Sequence, residues 1–340
     1  MNRHNDAPAR DWLPVGIFAA IAVSLPFWFP LIGGYEGLDT KIMIWALFAL
    51  GFDLLLGYTG YLSFGHAAFF GVSAYVTGLM LLHGTSEILP AMLVAVVVTV
   101  LLALAIGFLV LRRTGIYFAI LTLAFAEMLY RAALSIFSDF TGGDNGLTGL
   151  PTPTLFGEPM HGLKVYYLAA LLAIVGFYIA RRITGSPFGM MMRAIKSNQE
   201  RLRYTGINVA GYKLFTFVIS ATYAAFAGSL MVIYEPYVAT IFLHWSTSGE
   251  VVIMSVIGGV GTLFGPMIGA AFMMYFENVA SAAIGEQWLL ILGLIFVLIV
   301  VFLPGGFVEG YRRLRRHLGG RRRGQLHADG TGATDTERVR

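Results

Sequence analysis

The chain has 340 residues, 57% of them hydrophobic and 12% charged, with mean hydropathy +0.74 and a formal net charge of +4. That is more apolar surface than a soluble core of this length can hide, so composition excludes a soluble globular domain and implies a multi-spanning membrane protein. Cysteine is absent, which excludes disulfides, thiolate metal sites and cysteine nucleophiles.

Apolar runs near the ~20 residues needed to cross a hydrocarbon layer predict spans at about 12–32, 41–57, 61–82, 89–111, 115–137, 163–180, 212–234, 249–283 and 287–303. The first run, DWLPVGIFAAIAVSLPFWFP, is bulky and proline-rich and has no small-residue cleavage site after it, so it is expected as a kinked anchor rather than a signal peptide. Lys and Arg collect in cytoplasmic loops. With Arg3 and Arg10 inside, alternate crossings place Arg112, Arg113 and the basic loop around 181–212 inside as well. The basic tail YRRLRRHLGGRRR stays inside only if 249–283 breaks at GGVGTLFGP. The prediction is a half-helix from about 249 to 259 entering from outside and a second helix from about 262 to 283 returning.

A similar glycine punctuation, GYTGYLSFGHAAFFGVSAY, follows the second span. Gly57 and Gly60 match Gly258, Gly259 and Gly261 in position before a small-residue helix, the pattern of an internally duplicated transporter with its pathway between the halves. The alternative reading of these glycines, and of Gly65, Gly71, Gly265 and Gly269, is close helix approach. The expected fold is all-α and polytopic, with about 8–10 membrane-inserted helices, some broken or re-entrant, and an internal two-fold repeat. The domain division is a cytoplasmic arm at 1–11, a transmembrane domain at 12–304 and a basic, disordered cytoplasmic tail at 305–340.

The cytoplasmic loop at 181–212 is too polar to enter the bilayer and too apolar for a tether. A short amphipathic surface helix fits it, with Met191, Met192 and Ile195 on one face, Arg193, Lys196, Arg201 and Arg203 in water, and Gly206 ending it. Among polar residues in apolar runs, Glu127 and Arg131 are spaced for a buried ion pair. Asp53 sits one turn before Gly57, where it can brace the break. Ser63, His66, Thr122 and Ser248 offer small polar groups either to a pathway or to neighbouring carbonyls. The outer loop FSDFTGGDNGLTGLPTPTLFGEP reads as successive turns, suited to docking a partner or to plain solvation. No residues have metal-ligand or nucleophile–base spacing, and no G-x-x-x-x-G-K-[ST] phosphate loop is present, so no enzyme chemistry is expected on this chain.

Taken together and in order, GYTGYLSFGHAAFFGVSAY, TGIYFAILTLAFAEMLYR, TGGDNGLTGLP, FGMMMRAIKSNQERLRYTGINVAGYKLFTFVISATYAAFAGSL and VIGGVGTLFGPMIGA resemble the membrane permeases of branched-chain amino acid ABC importers, specifically the LivM-like subunit, over roughly 40–305. The resemblance implies half of a translocation pathway for leucine, isoleucine or valine; the residues that the glycine breaks and membrane-depth polar groups offer as pathway or broken-helix positions are Gly57, Gly60, Ser63, Gly65, His66, Thr122, Gly258, Gly259 and Gly261. It further implies a second, LivH-like permease subunit, two ATP-binding subunits carrying ATP and Mg, and a solute-binding protein outside. Membrane lipid is a partner and nucleic acid is not. No cofactor is expected on this chain, which would lie in the bacterial inner membrane with both termini cytoplasmic. Arg193, Ile195, Glu200 and Gly206 fall in the ATPase coupling loop of such importers, although Arg201 and Leu202 replace the two small residues of the common form. Similar permeases import urea and other small polar solutes, and an ion-coupled secondary transporter is the reading from a different class.

Overall fold

In the computed structural model, residues 7–310 apart from 36 and 304 are described. Helices follow in chain order: α1 Ala7–Trp28, α2 Leu38–Thr59, α3 His66–His83, α4 Ile88–Val110, α5 Ile116–Leu134, α6 Ser138–Thr141, α7 Leu163–Gly185, α8 Pro187–Tyr204, α9 Val209–Tyr234, α10 Trp245–Gly258, α11 Phe264–Ile284 and α12 Trp288–Phe302. Eight of these are long and apolar enough to cross a membrane: α1 to α5, α7, α9 and α11. The run at 249–283 is divided as expected, into α10 and α11, with α10 starting four residues earlier than the expected half-helix. At 14 residues α10 reaches only about 21 Å, short of the ~30 Å hydrocarbon layer.

Burial sorts the helices into a centre and a rim. α2 is apolar on every side and buried along nearly its whole length, as a helix surrounded by other helices must be. It packs on α7, α9 and α11, while α9 also packs on α3 and α4. α4, α5 and α12 instead leave Leu93, Leu101, Ile116, Ile120, Leu290 and Val301 exposed on the outside of the chain. Small hydroxyls join α3 to α9: Ser73 Oγ donates to Ala225 O at 2.6 Å, and Thr77 Oγ1 donates to Ser229 Oγ at 2.8 Å. In lipid these bonds hold helices together where apolar burial discriminates little.

The loop between α5 and α7 is more ordered than a series of turns. A two-stranded hairpin, β1 Thr154–Leu155 and β2 Glu158–Pro159, is clasped by Glu87 at the start of α4. The Glu87 carboxylate accepts from Gly157 N at 2.8 Å, Phe156 N at 2.9 Å and Thr154 Oγ1 at 3.1 Å. The Gly157 amide, with the other donors, holds this carboxyl below the ordinary glutamate range.

Three expected boundaries move. α1 begins at Ala7, inside the expected 1–11 arm, because its helix continues past the apolar run. α7 runs on to Gly185, leaving α8 to fill most of the remaining 181–212 loop. Residues 306–310 are helical, and Gly306 packs against the backbone of Gly259, so the start of the 305–340 segment belongs to the fold. Residues 311–340, where a disordered tail is expected, lie outside the described residues.

Candidate functional site

Two helix breaks meet at one end of the bundle. The first follows α2, which stays helical through Gly57 and Tyr58 to Thr59. Gly60 ends it in the left-handed region at φ +79, its N–H returning to Leu56 O at 3.1 Å. The second follows α10, where Gly259 at φ +120 and Gly261 at φ +81 turn the chain into α11. Leu263 shares the left-handed region at φ +58, a conformation costly for a side chain with a Cβ.

Asp53 locks the two together. Its carboxylate is fully buried and accepts from Gly261 N at 2.7 Å and from Leu263 N at 3.1 Å. Expected as a brace for its own break, Asp53 instead satisfies the free amides of the other. It holds Leu263 in its strained conformation at the start of α11. Gly57 is the contact point: a Cβ there would come within 2.6 Å of Gly261 N. The reading of Gly57 as a helix-breaking residue is therefore corrected, because Gly57 is helical and lets the two backbones touch. Gly258, the last residue of α10, likewise packs on the backbone of Gly265.

Helix α8 docks onto this crossing. Pro187 at its first position suits a helix start. Met192 and Ile195 form its buried face, in line with the amphipathic pattern. Extended backbone at Asn198 interrupts it, and Asn198 Oδ1 accepts from Arg201 N at 2.9 Å to start the next turn. Gly206, at φ +81, lies just past its end. Arg193 Nη1 donates to Thr184 O at 2.9 Å, tying α8 to α7. Lys196, expected free in water, donates from Nζ to Gly57 O at 2.7 Å, because the end of α2 offers a carbonyl there. Glu200 faces outward and pairs with Arg203 at 3.3 Å.

A second line of bonds runs alongside. Tyr61 OH donates to Gln199 Oε1 at 2.9 Å and accepts from Lys213 Nζ at 3.2 Å; Lys213 also donates to Leu111 O at 3.0 Å. α8, the first break, α9 and the end of α4 are thereby joined. Sequence reasoning missed Tyr61, Gln199 and this role of Lys213. The available signal was a lysine at the fifth position of an apolar helix, a costly placement unless it is paired.

The remaining sequence-derived candidates turn inward. Ser63 Oγ accepts from Gly65 N at 3.2 Å, and Thr122 Oγ1 accepts from Phe64 N at 3.2 Å. Gly65 lies against Thr122 O, where a Cβ would come within 2.7 Å. His66 is fully buried among Phe52, Phe69 and Phe217, with Nε2 2.8 Å from Ser220 Oγ. Ser248 Oγ accepts from Ala67 N at 2.7 Å. These groups fasten the first break to α5, α9 and α10. The Glu127–Arg131 pair forms at 2.8 Å, but the Arg131 side chain is 70% exposed and that of Glu127 31%. The expectation of a buried pair is thus corrected, because α5 presents this face outward. Among the described residues no three His, Asp or Glu side chains gather as a metal site.

A family model described as the permease component of the branched-chain amino acid transport system matches residues 35–302. The chain is 26% identical to the high-affinity branched-chain amino acid transport system permease protein LivM of Salmonella typhimurium, over 91% of this chain and 78% of that protein. It is 24% identical to the permease protein BraD of Pseudomonas aeruginosa, over 78% of this chain and 91% of that one. It is 23% identical to the permease protein LivH of Escherichia coli, again over 78% and 91%. No solved structure matches.

Proposed function

The chain belongs to the family of branched-chain amino acid transport system permease components, and from that premise we propose that it forms half of the membrane pathway of an ATP-binding-cassette importer for leucine, isoleucine and valine. A second permease of the LivH kind completes the pathway, and a solute-binding protein delivers the amino acid from outside. Two separate ATP-binding subunits carry ATP and Mg and dock at the face that bears α8. The chain sits in the inner membrane with both termini cytoplasmic. The carrying observation is that the family match runs from just before α2 to the end of α12, taking in both breaks and the helix between them.

The crossing supports a mechanical role for this chain rather than a chemical one. α8 rests on the first break through Lys196, and the first break touches the second at Gly57. A displacement of α8 by an ATPase subunit therefore passes directly to the α2 end and to α11. In this reading Gly57, Gly60, Gly258, Gly259 and Gly261 are the moving joint. Ser63, His66 and Thr122 anchor its edge instead of meeting the amino acid.

Reconstitution tests the reading. Proteoliposomes containing both permeases and both ATPase subunits are expected to accumulate leucine only with ATP inside the compartment that holds the ATPases and with the binding protein opposite. Ion-driven leucine uptake by this chain without ATPase subunits would overturn the importer assignment. ATP-driven uptake of urea but not leucine would overturn the substrate.

A further inference from the structure

The proposed function does not use a cavity that lies beside the crossing. About 590 Å³ in volume, it opens between α1, the elbow from α7 to α8, and the second break. Its walls include Trp12, Tyr58, Tyr178, Arg181, Arg182 and Thr262. Trp12 stacks on Tyr178 with ring centroids 5.0 Å apart, yet remains 58% exposed. No acidic side chain lines the cavity among the described residues, and Arg182 has no ion-pair partner among them. Arg193, anchored on Thr184 O, adds a third guanidinium 6.0 Å from the ring of Tyr58.

We propose that this cavity binds the phosphate headgroup of an anionic phospholipid from the leaflet facing α8. Aromatic rings at the end of spanning helices settle at headgroup depth, and basic pockets between such helices on the cytoplasmic side hold anionic headgroups. Arginine supplies the forked, always-charged donor that phosphate takes up. The acyl chains would run along α1, whose outward side is apolar and exposed at Leu13, Ile17 and Ile21. Leu263, which is bonded to Asp53 at the crossing, lines the same cavity. A headgroup seated there ties the sparsely packed α1 to the α7–α8 elbow and stiffens the ground beneath the crossing.

The test uses the full chain purified with its second permease in a neutral detergent and measures heat resistance and lipids retained by native mass spectrometry. Phosphatidylglycerol is expected to raise the unfolding temperature where phosphatidylcholine does not. Arg182→Gln is expected to weaken the apparent phosphatidylglycerol affinity about fivefold, the worth of one basic contact at a membrane surface. Arg113→Gln, at another exposed basic position, should leave it unchanged. Free glycerol phosphate, added at the same phosphate concentration, should stabilise neither form. Equal weakening by both arginine variants, no weakening by Arg182→Gln, or equal stabilisation by glycerol phosphate would each overturn the proposal.

Discussion

The turn after α2 and the turn after α10 carry glycines at the same three-residue spacing, Gly57 with Gly60 and Gly258 with Gly261, yet they are built differently. In the first, the helix ignores Gly57 and stops only at Gly60. In the second, the helix stops at Gly258, and the next five residues pass through three left-handed conformations before α11 begins. The first is held from outside the bundle by Lys196 and by Tyr61 with Gln199. The second is held from inside by one buried carboxylate. Glycine spacing permits a break, but the groups available to receive the freed amides and carbonyls decide where it falls.

Removing that inner support gives the largest expected effect. Asp53→Ala leaves one buried and one half-buried amide without acceptors, a loss of about 3 kcal/mol. It should sharply lower the fraction of chain that survives solubilisation, read as monodisperse protein by size-exclusion chromatography. Asp53→Asn, which keeps one acceptor oxygen, should fall between the variant and the native chain.

Next come the two glycines of the first break. If Gly57 is a contact and Gly60 a conformational stop, Gly57→Ala should be the more damaging change, because its Cβ meets the Gly261 backbone. At Gly60 the nearest atom to an added Cβ is Lys196 Cγ at 3.2 Å, on a flexible chain, so Gly60→Ala costs mainly the ~1–2 kcal/mol of left-handed backbone. Equal unfolding temperatures for the two variants would erase the distinction.

A smaller effect should separate assembly from coupling. Lys196→Met removes one hydrogen bond from the outer support, worth about 1 kcal/mol, and keeps the side-chain length. Assembly with the ATPase subunits should be normal, while amino acid transported per ATP hydrolysed falls severalfold. Unchanged stoichiometry would show that the bond to Gly57 O carries no motion.

The smallest effect lies in the β1–β2 hairpin that Glu87 clasps. Glu87 has its carboxyl lowered chiefly by the Gly157 amide. The folded value lies below the unfolded one, so this clasp stabilises fully above the ordinary glutamate range and is lost as pH falls through the folded value. Protease nicking near Phe156 should increase on acidification in the native chain. In Glu87→Gln it should be raised and independent of pH.

Apart from 287–303, whose helix α12 has only 15 residues, the spans, their order and the division at 249–283 were legible in the sequence, because the length of an apolar run and the sidedness of basic residues can be read along the chain. The amphipathic α8 was legible for the same reason: Met192 and Ile195 repeat at helical spacing among charges. What only the tertiary structure decided is which partner each polar group finds. Asp53 reaches across 208 positions to Gly261, Lys196 across 139 to Gly57, and Tyr61 across 138 to Gln199. Inside a bilayer a polar group must be satisfied by protein, so the presence of Asp53 or Lys213 in an apolar run announced that a partner exists. The identity of that partner was set by how α2, α8, α9 and α11 pack, which no local pattern encodes.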